Sequence, residues 1–244
     1  MIALIADVHG NLPALEAVLA DMLRFDVDEV LSLGDLANLG PRPSASLKRI
    51  QALEPLTIMG NTDAYLLEPR TAADVTAPND ATQMFLDIER WSAERLDDVD
   101  REFVRSFAPN LSLERDGLQV VAYHGSPRSY DDPLRPLTPD ETLDDWFAGY
   151  PARLYLGGHT HEQFVRRYRD AIVANPGSVG MSFVKAFSAD DSRNLPVAEY
   201  ALLQVIGGEP NLYLRRVPYD INAYRNAVME SGMPHADAWL SQFT

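Results

Sequence analysis

Five short apolar runs in this chain each stop at a glycine beside a potential metal donor. They are "LIADVHGN" (4–11), "DEVLSLGD" (28–35), "PLTIMGNTD" (55–63), "LQVVAYHG" (118–125) and "ARLYLGGHTH" (152–161). The first three are separated by helical stretches. In "NLPALEAVLADMLRF", Leu12, Leu15, Val18, Leu19, Met22 and Leu23 recur at helical spacing, Asn11 can cap the start, and Pro13 falls in the tolerated first turn. "PRPSASLKRIQAL" (41–53) reads as a second helix. Strands joined through helices imply βαβ units and a parallel sheet. Such a sheet presents its C-terminal strand ends on one edge, where ligands bind.

The rest of the chain mixes both periodicities. Residues 64–108 carry Phe85, Ile88, Trp91, Leu96, Val99, Phe103 and Phe107 among many charges, which suggests two amphipathic helices, an insert or cap behind a loop. They could form a lid or a dimer surface. "LSLERDGLQVVAYHG" is a hairpin turning at Asp116-Gly117, "FVRRYRDAIVAN" another around Arg169-Asp170, and 196–220 a third across "GGEPN". "TPDETLDDWF" carries helix-start signals: Thr138 as N-cap, Pro139 at the first position and Glu141 closing a capping box. "NAYRNAVMESG" is a last helix, "AFSADDSRN" (186–194) reads as a mobile loop, and His235 as a surface residue at the start of a terminal helix. With no repeat or linker, residues 1–244 form a single domain.

The donors at the strand ends are Asp7, His9, Asp35, Asn61, His124, His159 and His161. The i, i+2 spacing in "DVH" and "HTH" sends both side chains to one side of extended backbone, and the adjoining glycines allow tight turns. Seven such ligands exceed the needs of one divalent ion but suit two that share a carboxylate. Mixed nitrogen and oxygen donors without sulfur favour Mn, Fe, Co, Ni or Zn over Ca. Two ions ~3.5–4 Å apart clamp an in-line displacement at phosphorus.

Charge and cysteine usage narrow the classes. Lys and Arg total 21 against 36 Asp and Glu, a net charge of −15. That argues against broad nucleic-acid or anionic-membrane binding, while a local metal charge still admits a small phosphate ester. There is no cysteine, and no apolar run approaches the ~20 residues of a membrane span. The N-terminus lacks a basic stretch and a signal-length apolar segment, so a cytoplasmic location is expected.

In motif order, "DVHGN", "GDLANLGP", "GNTD", "HGSP" and "GGHTH", followed by "NPGS" at 175–178, the sequence resembles the calcineurin-like metallophosphoesterase superfamily, in particular its small bacterial and archaeal phosphodiesterases. The resemblance implies a four-layer α/β/β/α sandwich of two mixed sheets flanked by helices. It implies a dinuclear centre with Mn as the leading candidate: one ion on Asp7, His9, Asp35 and His161, the other on Asp35, Asn61, His124 and His159, and a bridging hydroxide as nucleophile. Hydrolysis of phosphodiesters is the leading activity. A phosphomonoesterase, a dinucleoside-polyphosphate hydrolase and a non-catalytic scaffold are the alternatives. Asp63 and His124 are candidates for catalytic roles, with Asp63 expected to orient Asn61 or a water. Asn11, Arg42 and Arg128 are candidates for substrate binding. A small phosphate ester is the expected partner, and a homo-oligomer is possible. The chain departs from the family where Thr62 follows "GN". The family's usual histidine there protonates the leaving group, and a threonine cannot, so a bias toward good leaving groups is expected.

Overall fold

The computed structural model describes residues 1–75, 79–184 and 193–243. Its layering follows from strands that are apolar on both faces. In β1 (Ile2–Ile5), Ala3 and Ile5 enter one apolar cluster, whereas Leu4 and the following Ala6 enter another. In the Leu118–Ala122 strand, Leu118, Val120 and Ala122 join Leu4 and Ala6, while Val121 and the following Tyr123 enter a third cluster. Successive strand residues point to opposite faces. Two double-faced sheets therefore make three apolar layers, which is a four-layer α/β/β/α sandwich.

The first sheet adds β2 (Glu29–Ser32), β3 (Leu56–Thr57), β11 (Val197–Ile206) and β12 (Glu209–Pro218), in the order β12-β11-β1-β2-β3. Its β1, β2 and β3 run parallel, and β11 and β12 are antiparallel additions. The second sheet contains β4 (Leu111–Arg115), β5 (Leu118–Ala122), β6 (Leu154–Leu156), β7 (Phe164–Tyr168) and β8 (Ala171–Asn175), in the order β4-β5-β6-β8-β7. Here β5, β6 and β8 are parallel, between antiparallel edges. A short ribbon pairs β9 (Phe183–Val184) with β10 (Arg193–Asn194).

Helices α1 (Leu12–Met22), α2 (Pro43–Gln51), α3 (Asn61–Leu67), α4 (Asp80–Ala93) and α5 (Asp98–Arg105) supply Leu15, Val18, Leu47, Ile50, Leu66, Ile88, Trp91 and Val104 to the first sheet's outer core. Each large apolar side chain buried this way contributes ~1.5–3 kcal/mol. The same core takes Tyr224 and Val228 from α7 (Ile221–Ser231) and Trp239 from α8 (Ala236–Leu240). On the opposite face α6 (Asp140–Trp146) packs Leu143 against the second sheet, and Phe147 stacks on Tyr155 with centroids 4.0 Å apart. The layer between the sheets is lined by alanines at its functional end: Ala6 after β1, and Ala122 and Ala174 in the last turns of β5 and β8.

Several local expectations are corrected. The third strand stops at Thr57, and Asn61 is the first residue of α3 rather than a strand end. The lead-in over 64–75 is therefore no plain loop, since it holds most of α3 and a 3-10 turn at Ala72–Asp74, while Pro78 lies outside the described residues. The capping box at Thr138 does not form. Pro139 is the N-cap of α6 with no side-chain cap bond, because the Thr138 hydroxyl accepts from Arg135 N–H (2.9 Å) in a preceding turn. The loop expected at 186–194 lies outside the described residues, apart from Arg193–Asn194 in β10. His235 caps α8 and bonds Asp87 (2.8 Å).

Candidate metal centre

The parallel strands deliver Asp7 and Asp35 to the same edge, just past β1 and β2, with Asn61 beside them at the start of α3. The second sheet brings His124 after β5, and His159 and His161 after β6. The two halves are tied together. Val179 N–H donates to Ala6 O (3.0 Å), Gly180 N–H to Asp7 O (3.0 Å), and the Ser178 hydroxyl to Asp7 O (2.8 Å). Asn175 donates to Gly158 O (2.7 Å), so the "NPGS" turn staples one histidine loop to the first aspartate loop. Gly158 is needed for close approach: a Cβ there would lie 3.1 Å from Asp7 Oδ2 and 3.2 Å from Ala6 Cβ.

Five of the seven donors hold left-handed backbone: Asp7 (φ 54°), His9 (47°), Asp35 (59°), His159 (69°) and His161 (56°). Non-glycine residues in this region cost on the order of 1–3 kcal/mol each and persist where the surroundings over-determine them. Here the constraints include bonds from Asp7 N–H to Gly34 O (2.9 Å) and from His9 N–H to Asp35 O (3.0 Å).

Backbone carbonyls fix three imidazole rings. Nδ1 of His9 faces Asn38 O (3.0 Å), Nδ1 of His124 faces Leu33 O (2.6 Å), and Nδ1 of His161 faces Met181 O (2.9 Å). A carbonyl only accepts, so each Nδ1 carries a hydrogen and each neutral ring turns its Nε2 lone pair inward. The inward atoms form two nests. In one, His161 Nε2 lies 3.1 Å from His9 Nε2 and 3.3 Å from Asp7 Oδ1. In the other, Asn61 Oδ1 lies 3.1 Å from His124 Nε2 and 3.2 Å from His159 Nδ1. Asp35 Oδ2 stands between them, 3.3 Å from His124 Nε2 and 3.9 Å from His9 Nε2. Its other oxygen accepts from Thr62 N–H (2.9 Å).

The donor set fits divalent cations. Asp7 Oδ1 is buried without a hydrogen-bond partner, an expensive state for a carboxylate oxygen unless a cation meets it. The facing lone pairs repel unless positive charge sits among them. Asp7 with His9 and His161, and Asp7 with Asp35 and His124, bring their ligand atoms within 4.8 Å of one another. The titration behaviour points the same way. Burial opposes a charged His124, but Asp35 outweighs it and pushes the ring up to about 10. Burial likewise opposes charge on His161, and Asp7 raises it. Burial lowers His9 and His159, with neighbouring histidines adding to it, and the facing histidines hold Asp35 below the usual carboxylate range against its burial. The buried carboxylates thus favour positive charge at both nests.

The other candidates sit differently. Asp63 is fully buried. Its Oδ2 accepts from Asp35 N–H (2.7 Å) and Gly60 N–H (3.1 Å), and its Oδ1 from Leu36 N–H (2.9 Å). Its carboxylate thereby holds the backbone of the Asp35 and Gly60 turns. Burial and the Asp35 charge push it up to about 7. Asn11 is also buried and fully used, accepting from Ala14 N–H (3.1 Å) as the α1 cap and donating to Gly180 O (2.9 Å). Arg42 pairs with Glu230 (3.0 Å), while Arg128 pairs with Asp132 (3.1 Å) and Asp145 and lies over the Trp146 ring. None of these three faces the nests with a free polar group. Sequence reading missed Tyr65, one helical turn beyond Asn61, and Arg70, which lies 4.2 Å over its ring. The i, i+4 spacing of Asn61 and Tyr65 in α3 was the available signal, hidden while 61–67 read as strand and loop.

Residues 1–195 match the calcineurin-like phosphoesterase superfamily domain, and the chain belongs to this family of metal-dependent phosphoester hydrolases. An uncharacterised protein of Methanocaldococcus jannaschii is 25% identical, over 99% of this chain and 96% of its own. A symmetrical bis(5'-nucleosyl)-tetraphosphatase of Dechloromonas aromatica is 40% identical over 67 residues, 26% of this chain and 24% of that one. Among solved structures, a metallophosphoesterase from Sphaerobacter thermophilus superposes with a TM-score of 0.72 at 23% identity, covering 99% of this chain and 96% of that one. A hypothetical protein from Pyrococcus horikoshii gives 0.78 at 18% identity, covering 98% and 97%. No helix among the described residues is long and apolar enough to cross a membrane.

Proposed function

We propose that the protein is a phosphodiesterase working through two divalent transition-metal ions, with Mn as the leading candidate. The observation that carries this reading is the pair of nests whose inward atoms are lone pairs, with a buried Asp7 oxygen left without a partner. Asp7, His9, Asp35 and His161 would hold one ion, and Asp35, Asn61, His124 and His159 the other. When bound, two such cations lower the pKa of a water toward neutrality and offset the charge gathering on phosphoryl oxygens.

The chain's own residues prepare this site before any ion arrives. The Leu33, Asn38 and Met181 carbonyls set the tautomers, and the Thr62 N–H holds Asp35 with one oxygen presented inward. The Thr62 hydroxyl is buried, so it offers no proton to a leaving group. Loss of a positioned donor typically costs ~10²–10⁴-fold, which falls hardest on poor leaving groups. Diesters are the favoured class because Arg42 and Arg128, which adjoin the metal-bearing turns, are neutralised by acids rather than free to grip a terminal dianion.

The test is metal stripping. Chelation should abolish hydrolysis of bis-p-nitrophenyl phosphate, Mn should restore it, and elemental analysis should find two ions per chain. Activity that survives chelation, or faster hydrolysis of p-nitrophenyl phosphate than of the diester, would overturn the reading.

A further inference from the structure

Beside His161 the centre opens into a cavity of about 280 Å³ lined by His161, Met181, Phe183, Arg193, Asn194 and Gln242. The Phe183 ring lies 6.0 Å from the His161 ring, tilted by 58°. Met181 O receives His161 Nδ1–H, so one wall of the cavity is also the support of a metal-facing ring. The opposite wall is anchored by Asn194 N–H donating to Gln242 O (2.8 Å), and Asn194 pairs in register with Phe183 across β9 and β10. Arg193 is exposed at this cavity and forms no ion pair with any acid among the described residues. That contrasts with Arg42 and Arg128, whose charges are met by Glu230, Asp132 and Asp145. With no acid among the described residues to offset it, this guanidinium is available to an anion that enters the cavity.

We infer that this cavity is the subsite for the nucleoside arm of a nucleotide ester. The base packs on the Phe183 ring, and Arg193 meets an anionic oxygen on the same arm, away from the reacting phosphorus. Stacking on an aromatic side chain tolerates any base, because every base has a π-face. The volume sits at the lower limit of small-ligand pockets, ~300–1,000 Å³, and suits one nucleoside rather than a strand. The chain's net charge likewise disfavours a polynucleotide.

The inference rests on the phosphoesterase reading, and the experiment separates the two. Mn-loaded protein is assayed on thymidine 3'-phosphate 5'-(p-nitrophenyl phosphate), whose 3'-phosphate supplies the anion for Arg193, and on methyl p-nitrophenyl phosphate, which share a leaving group. The nucleoside ester should be preferred in kcat/KM. Phe183→Leu and Arg193→Gln should each lower that preference by about tenfold, mainly through KM, and Phe183→Tyr should restore it. A preference absent in the wild type, or untouched by either substitution, overturns the subsite. If neither ester is hydrolysed, the phosphoesterase reading fails, and calorimetry with adenosine 5'-monophosphate decides the subsite alone. Binding weakened by Phe183→Leu supports it, and no binding overturns it.

Discussion

Replacing Asp63 with Asn is a sharp test of how the centre is held. The native carboxylate accepts three backbone N–H groups, from Asp35 and Gly60 on Oδ2 and from Leu36 on Oδ1. An amide can keep its oxygen at the Oδ2 position, but its NH₂ then meets the Leu36 N–H, donor against donor. One buried donor is left unsatisfied, which costs ~1–3 kcal/mol, and the charge assistance of the other two bonds is lost as well. At roughly 2–4 °C per kcal/mol for a chain of this size, Tm should fall by about 4–8 °C for a loss of about 2 kcal/mol. Because the same N–H groups fix the backbone beneath the Asp35 carboxylate, Mn affinity should drop by about 10–100-fold, as for other groups that orient a metal ligand. Activity at saturating Mn should remain within an order of magnitude of wild type. Calorimetric Mn titration, thermal denaturation and kcat at high Mn together check this. A variant with unchanged Tm and Mn affinity but no turnover would refute the reasoning and return Asp63 to a catalytic role.

Two further outcomes follow from the packing. In Gly60→Ala the new Cβ would overlap Asp35 Oδ1 and stand 2.5 Å from Asp35 N, so that carboxylate must move and Mn binding should be lost or weakened at least tenfold. Unchanged Mn affinity in a titration would contradict the contact. At the far side of the first sheet, burial disfavours the Asp21 carboxylate, but bonds from Arg215, Tyr200 and Arg24 outweigh it and hold it below its ordinary range. A depressed folded-state pKa adds stability above the unfolded value, ~3.9, that is lost as pH falls through the lower folded value. Asp21→Asn should therefore lower Tm at pH 7, with the gap closing in strong acid. A gap that stays constant across pH would refute the assignment.

Much of the architecture was legible in the chain because burial on two faces leaves short continuous apolar runs, and five of these end at the donors. The four layers and the convergence of Asp7, Asp35, His124, His159 and His161 follow from that pattern. What escaped was set by partners distant in sequence. Gly60-Asn61 reads equally well as a strand end or a helix start. The choice is made by Asp63, whose carboxylate closes its own helix cap and also reaches the Asp35 and Leu36 amides. Arg42 looked free because its acid, Glu230, lies 188 positions away. The carbonyls of Leu33, Asn38 and Met181 that orient the imidazoles are backbone atoms, and no residue identity advertises them. Thr138 carried every mark of a cap, yet a competing turn bond to Arg135 claimed its hydroxyl.

The alanines Ala6, Ala122 and Ala174 carry a consequence for how the protein can be altered. They set the narrow gap across which donors from opposite sheets must meet, so they act as the gauge of the centre. A bulkier residue at any one of them would prise the halves apart and separate His124 and His159 from Asp35 without touching a ligand. Exposed side chains on helices that carry no donor, such as α4, α5 and α7, have no such leverage, and those surfaces can be recut or fused to other domains while the spacing of the seven donors stays the same.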